Sequence, residues 1–461
     1  MKELLSTPNF DGLPRFHKLE LNNCGKLKSI HTSLGNHTSL QDVRVISCDK
    51  LKMFPTIVHM ENLNTLEISN CPKILEFPEI QANIESLLNL SLERIGIEVL
   101  PSSIGERCTN LISLDLSNLN NLKSIEFNFD AFKDLEKLKL EVLRHPVKIR
   151  RQLFPQWLYV LRKLDLGACH FKDVEIPNGI VELSNLQELG LRGDDFSPIE
   201  FSLVHFTQLK ALDLSFCRNL LELPELPSSL TILNAMHCES LTTFGDCYKN
   251  CTGLCQVLVV GTSIINDNGK LLEYMLEVCT AIENRPMFLQ LEGAEVAKGV
   301  MPCLYGGRRC RLQLPENWCK DFAGFLMCVV FTKATGNCLY NFVDISMKQV
   351  MSDMDSKDDV VWEKCDSDRM TWVWYVPFNS LTHTTWWDQT YKALEFHIEK
   401  YYDFQEQYYS GFGVRLVDRK SRSGLTETST DSSTNYIPHL TIHIDSESDL
   451  RMSLRARRFT K

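Results

Sequence analysis

The chain has no apolar run long enough to cross a bilayer. Its longest, Phe322 to Phe331, is about half of the ~20 residues that a spanning helix requires. The opening Met1-Lys-Glu-Leu-Leu-Ser-Thr-Pro8 has no apolar stretch of secretory-leader length. Neither a membrane-embedded nor a secreted protein is expected. Positive charge is in the minority, 49 Lys and Arg against 59 Asp and Glu for a net −10, whereas nucleic-acid binders show a basic stripe. No Gly-x-x-x-x-Gly-Lys-[Ser/Thr] phosphate loop occurs, because Gly261 to Lys270 lacks both the spacing and the hydroxyl. His-Glu-x-x-His, nucleophile-elbow and paired-carboxylate motifs are missing too. Nothing in the sequence points to catalysis, to a bound cofactor or to a metal.

What is present is a repeat. Leu209-Lys-Ala-Leu212-Asp-Leu214-Ser-Phe-Cys217 has the complete Leu-x-x-Leu-x-Leu-x-x-Cys spacing, and Leu40…Val43…Val45…Cys48 and Leu63…Leu66…Ile68…Cys71 share its frame. The last aliphatic of each unit falls at Leu21, Val45, Ile68, Leu92, Leu116, Leu140, Leu166, Leu191, Leu214 and Ala235, in steps of 21 to 26 residues. That period is in the leucine-rich-repeat range. One such unit cannot bury its apolar side alone, whereas stacked units join their strands into a parallel sheet over a continuous core. The expected fold of residues 1–245 is an α/β leucine-rich-repeat solenoid of about ten repeats, a horseshoe with the parallel sheet on its concave face.

Strand alternation assigns faces. With Leu19 and Leu21 inward, the central outward row reads Glu20, Arg44, Glu67, Ser91, Asp115, Lys139, Asp165, Gly190, Asp213 and Asn234. A row of solvated, mixed-sign side chains on a rigid frame is a surface for a macromolecular partner and offers no dry pocket for chemistry. On this reading Arg44→Glu or Lys139→Glu changes partner binding with little effect on folding. Leu116→Asp, in contrast, places a charge in the shared core and unfolds neighbouring repeats.

The repeat accounts for Cys24, Cys48, Cys71, Cys169, Cys217 and Cys238 among the 17 cysteines, each in the post-strand position that turns inward. An odd total without compact disulfide spacing indicates reduced thiols and an intracellular setting. Cys247, Cys251 and Cys255 are spaced by four, which on a helix stacks three thiols on one face. A buried cap-helix face is the expectation and a zinc site the alternative, with no Cys-x-x-Cys pair to support the latter.

After Phe244 the frame stops. Residues 246–285 read as a helical cap or connector with Leu271, Leu272, Met275, Leu276 and Val278 on its apolar stripe. Residues 286–445 read as a β-sandwich of short strands near 286–291, 309–314, 325–332, 342–347, 360–364, 371–376, 393–399 and 413–417. Within it, 421–435 is Ser/Thr-rich and expected to be flexible, followed by strand-like 436–444. Trp372 and Trp374 share one strand face and are expected in the core. Trp386 and Trp387, beside His383, are expected in a loop, where an exposed ring is a favoured contact anchor. Residues 446–461 form a basic tail with Arg451, Arg455, Arg457, Arg458 and Lys461, either simply solvated or serving as a nuclear address or an anionic-surface contact.

The phrase Arg311-Leu-Gln-Leu-Pro315-Glu-Asn-Trp318-Cys319-Lys-Asp-Phe322-Ala-Gly324-Phe325 resembles the domain that follows the repeats in plant intracellular immune receptors of the TIR–nucleotide-binding–leucine-rich-repeat class. That domain is a C-terminal jelly-roll/Ig-like fold (C-JID). Trp374-Tyr-Val-Pro377, Gly413-Val-Arg-Leu-Val417 and the repeat closing Leu221-Glu-Leu-Pro224 resemble the same class, so the likeness spans about 1–445. Phe288-Leu-Gln-Leu-Glu-Gly293-Ala-Glu295-Val departs from the class in lacking two turn prolines, at Glu292 and Ala297.

The resemblance implies the sensor half of a receptor. The concave face and the loops of the post-repeat domain would grip a pathogen effector protein, and that contact would release a nucleotide-binding domain of the same or another receptor. Oligomerisation would occur only with the domains missing here, NAD⁺ cleavage would belong to a TIR domain elsewhere, and the location would be the cytoplasm. The first repeat begins so early that residue 1 is expected to abut a missing domain or a raw edge. Residues 1–15 leave no room for an F-box-like segment, which argues against a ubiquitin-ligase scaffold. A stand-alone interaction scaffold, decoy, helper or remnant is the alternative.

Overall fold

The computed structural model describes residues 3–141, 148–149, 160–169, 178–197, 199, 202–262, 269–282, 285–293, 301, 304, 308–332, 342–350, 369–382, 384, 392–399, 409–419, 436–444 and 449–457. Two compact units divide the chain, Met1–Leu209 and Lys210–Lys461.

In the first unit, each Leu-x-x-Leu-x-Leu phrase forms a short strand. Strands β1 (Lys18–Asn22), β2 (Asp42–Ile46), β3 (Thr65–Ser69) and β4 (Asn89–Glu93) come first, then β5 (Val99–Leu100), helix α1 (Ser103–Arg107) and β6 (Ser113–Asp115). They are followed by β7 (Ser124–Ile125), β8 (Lys137–Lys139), β9 (Lys148–Ile149), β10 (Lys163–Asp165) and β11 (Glu188–Gly190). The repeat strands β1-β2-β3-β4-β6-β8-β10-β11 pair in parallel. The short β5, β7 and β9 form a second parallel ladder.

The expected alternation holds: Leu19, Val43, Leu66, Leu90, Leu114, Leu138, Leu164 and Leu189 are all buried. Burying four or five aliphatics per turn at about 1.5–3 kcal/mol each gives on the order of 10 kcal/mol gross. Chain entropy cancels most of that gain.

Each strand ends at a fixed corner. The residue three beyond the central outward position takes the left-handed region, at Asn23, Ser47, Asn70, Arg94, Asn118, Ala168 and Gly193. Its N–H donates to a carbonyl of the next turn, as from Asn23 to Ile46, Ser47 to Ser69 and Asn70 to Glu93. Asn tolerates this conformation, which most side chains resist.

The cysteine follows directly. Its thiol donates to main-chain oxygens of the previous turn, from Cys48 to Leu21 at 3.4 Å and from Cys71 to Val45 at 3.7 Å. Cys24, Cys48 and Cys71 carry free thiols, which fits the sequence reading of them as small inward-turned groups.

The second unit contains β12 (Ala211–Asp213), β13 (Ile232–Asn234), β14 (Gln256–Val259), helix α2 (Lys270–Ala281), β15 (Met287–Glu292) and β16 (Arg309–Gln313). Next come α3 (Trp318–Asp321), β17 (Phe322–Thr332), β18 (Phe342–Gln349), β19 (Arg369–Pro377) and β20 (Ala393–Ile398). The last strands are β21 (Tyr409–Asp418), β22 (His439–Ile444) and β23 (Asp449–Arg455). Strands β12 to β15 pair in parallel, so the repeat geometry runs past Phe244 rather than stopping there. Left-handed corners recur at Phe216, His237, Gly261 and Gly293. β15 then pairs antiparallel with β19, β19 with β17 and β17 with β21. A second antiparallel sheet runs β16-β20-β18-β23-β22.

The two sheets share one core. Phe325, Met327, Trp372, Trp374 and Phe412 of one meet Ile345, Met347, Phe396, Leu450 and Met452 of the other. Two expectations change here. The stretch around Cys247, Cys251 and Cys255 is a run of turns, not a helix face, and the helix is confined to Lys270–Ala281. Burial pushes the Cys251 and Cys255 thiols up to about 12, as suits packed groups. The strand β23 occupies what reads as a basic tail, with Leu450, Met452 and Leu454 buried between its outward basic side chains. The expected strand at 360–364 and the Ser/Thr-rich 421–435 lie outside the described residues.

Candidate recognition surface

The outward row forms as register partners. In the first unit Glu20 faces Arg44, Arg44 faces Glu67, Glu67 faces Ser91, and Ser91 faces Asp115. Asp115 then faces Lys139, Lys139 faces Asp165, and Asp165 faces Gly190. Register brings opposite charges together. Arg44 Nε lies 3.9 Å from Glu67 Oε2, and Lys139 Nζ lies 3.9 Å from Asp115 Oδ2 and 3.4 Å from Glu141 Oε2. Arg192 pairs with Glu141 and sits 3.6 Å from Asp165 Oδ2, closing a five-member network.

The row is uneven in exposure. Glu20 and Arg44 are two-fifths exposed at the side chain, while Lys139 retains 20%. Lys18, 2.8 Å from Glu20, holds the Glu20 carboxyl below its ordinary value. Asp165 moves the other way: burial raises its carboxyl, with Arg192 and the Gly167 N–H opposing. Gly190 is part of that site, because a Cβ there would stand 2.8 Å from Asp165 Oδ1.

The aspartate and asparagine members have a second task that face alternation alone does not reveal. Asp115 Oδ1 accepts the Ser117 N–H at 2.9 Å, and Asp165 Oδ1 that of Gly167 at 3.0 Å. Asp213 Oδ1 and Asn234 Oδ1 accept the N–H groups of Ser215 and Met236, at 3.0 and 3.2 Å. One oxygen shapes the turn that ends the strand, and in Asp115 and Asp165 the other faces a cation. The signal was present in Asp115-Leu-Ser117 and Asp213-Leu-Ser215.

In the second unit Asp213 is buried and Asn234 half-buried, and the positions that continue the row, Leu258 and Gln290, are buried as well. Leu258 belongs to the two-sheet core.

At the entry edge of β8, β10 and β11 a depression of about 310 Å³ is lined by Glu136, Val160, Arg162, Asn185, Gln187 and Gln208. Within it Arg162 Nε lies 3.8 Å from Glu136 Oε1. His383, Trp386 and Trp387 lie outside the described residues, so the loop contacts expected of them have no geometry here. Trp372 and Trp374 are buried, as expected. Among the described residues no group of three His, Cys, Asp or Glu side chains is placed to hold a metal ion. His439 and His443 are four apart on a strand, a separation of roughly 13 Å, too wide to share one.

No protein-family model matches the chain. TMV resistance protein N of Nicotiana glutinosa is 29% identical over 280 residues, which is 50% of this chain and 24% of that protein. Disease resistance protein RPS4B of Arabidopsis thaliana is 30% identical over 224 residues, 48% of this chain and 18% of that protein. The chain thus spans about a quarter or less of these relatives' own length. Among solved structures, the functional domain of InlJ from Listeria monocytogenes overlaps 57% of each chain at 16% identity, with a TM-score of 0.36. Over about half its length, the chain is a homologue of plant disease resistance proteins of the TIR–nucleotide-binding–leucine-rich-repeat class.

Proposed function

We propose that this chain is the sensor region of a cytoplasmic plant immune receptor. The outward row of its repeat sheet and the loops of its two-sheet domain contact a pathogen effector, and that contact relieves restraint on a nucleotide-binding switch. The observation that carries the reading is the row Glu20–Arg44–Glu67, set in register across β1, β2 and β3. These side chains are part-exposed and alternate in charge on strands whose apolar side is fully used. Such a pattern favours orientation and selectivity toward a protein surface of complementary sign. The similarity to disease resistance proteins supports taking that protein to be a pathogen effector. The jelly-roll/Ig-like assignment of the second unit belongs to the same proposal and is supported by its two antiparallel sheets over one core. No catalysis or cofactor is assigned to this chain. Among the described residues no helix is long and apolar enough to cross a membrane.

The test is a binding screen of purified chain against secreted pathogen proteins, repeated with a Glu20→Lys, Arg44→Glu, Glu67→Lys triple variant of unchanged thermal midpoint. A binder that loses at least about tenfold in affinity, or about 1.4 kcal/mol, supports the reading. Binding undiminished in the folded variant would remove the row from the recognition surface.

A further inference from the structure

Ala211, Ile232 and Gln256 are register partners on the outward face of β12, β13 and β14. The equivalent positions of the first unit are polar, Lys18, Asp42, Lys137 and Glu188 among them. Here Ala211 and Ile232 are apolar, Gln256 alone keeps the row polar, and all three residues are buried. The cover is the chain itself. Tyr436 packs on Ala211 and Ile232 in a small cluster of its own, separate from the two-sheet core. The Arg457 guanidinium lies 4.1 Å over the Tyr436 ring. Gln256 grips the Arg457 main chain twice, accepting its N–H on Oε1 and donating Nε2 to its carbonyl, each at 2.8 Å. The Cys255 thiol donates to the Tyr436 carbonyl at 3.7 Å.

Each of these contacts is generic to peptide. A side-chain amide that offers one donor and one acceptor reads a backbone, whatever residue carries it. An apolar floor with a ring on it accepts any aromatic side chain, and a cation over the ring adds modestly. A satellite cluster held by a few bonds is also the kind of element that opens locally while its surroundings stay folded.

We propose that the outward face of β12–β14 is a peptide-binding surface occupied by the chain's own strap of Tyr436 and Arg457. A partner segment presenting an aromatic side chain beside a free backbone amide displaces the strap. Only the identity of the partner as a protein rests on the receptor reading. The strap is a property of this unit alone, and it can fail without touching effector binding at Glu20, Arg44 and Glu67.

Amide hydrogen exchange by NMR on the full chain tests it. Gln256→Ala removes both bonds to the Arg457 backbone. The Arg457 amide is expected to exchange about tenfold faster, with Val257 and Met452 unchanged. In Tyr436→Ala, the synthetic peptide acetyl-Ser-Tyr-Arg-Ser-amide should shift the Ile232 methyl signals, and in the parent chain it should not. Unchanged exchange at Arg457 overturns the proposal. So does exchange that rises together through β12–β14 and β23, which would make the strap ordinary core, and so does a peptide without effect on Tyr436→Ala.

Discussion

Asp213 and Ser215 are joined twice by one oxygen: Asp213 Oδ1 accepts the Ser215 main-chain N–H at 3.0 Å and its hydroxyl at 2.6 Å. Both residues are buried. Asp213→Ala therefore orphans a main-chain donor and a hydroxyl without creating a new partner. The expected loss is about 1–3 kcal/mol, read as a lower urea midpoint. Asp213→Asn keeps an acceptor oxygen and should recover most of it. Equal loss in the two variants would show that charge, not the turn, is what the position needs.

Arg44→Glu and Lys139→Glu, equivalent on the sequence pattern, should differ in the folded protein. Arg44 is well exposed beside Glu67, so its reversal should cost less than about 1 kcal/mol. Lys139 is mostly covered between Asp115 and Glu141. Its reversal leaves the carboxylates of Asp115, Glu141 and Asp165, plus a new one, around Arg192. A loss of about 1–3 kcal/mol is expected. Matching urea midpoints for the two variants would dissolve the network as a stabilising unit.

The pH dependence has a sign that Asp165 sets. Its carboxyl is raised above the ordinary 3.8 by burial, against the pull of Arg192. The native state then holds this proton more tightly than the unfolded chain does. The group's contribution is fully present below the unfolded pKa and is lost as pH climbs through the folded one. Asp165→Asn, which keeps an oxygen for the Gly167 N–H, lacks that loss. As pH rises above the ordinary 3.8 and through the raised folded-state value, the stability difference should move in the variant's favour. Movement the other way in paired urea titrations would mean that Arg192 outweighs burial.

Phe216 takes φ +63° at a corner that Asn23, Asn70 and Asn118 fill elsewhere, and it is 49% exposed. Left-handed backbone costs a bulky residue about 1–2 kcal/mol. Its stacking on His237, with ring centroids 4.8 Å apart, returns about 0.5–1.5 kcal/mol. Phe216→Asn should therefore leave stability within about 1 kcal/mol of the parent, measured by thermal unfolding. A loss above about 2 kcal/mol would place the ring in the core.

The repeat frame, its inward leucines and the cysteine positions were legible because a solenoid writes the same local physics ten times over. The frame was lost at Gln256-Val-Leu-Val259 because that strand is buried on both faces and the alternation that marks a strand vanishes. Asp449-Leu-Arg-Met-Ser-Leu-Arg455 carries a clear period of two, yet its arginines suggested a solvated tail. Only the partner strands β18 and β22 show that its apolar half has somewhere to go. The row was legible as a surface but not in its division of labour. Whether an outward aspartate meets a partner or finishes its own turn depends on the hydrogen bond two residues on, which polarity alone does not encode.

β15 is at once the last parallel rung and the first antiparallel strand. A fragment ending before Met287 would expose β14 along its whole length, an unpaired apolar edge of the kind that recruits other chains. Splice products or proteolytic pieces cut there should accumulate as aggregates rather than as smaller working proteins.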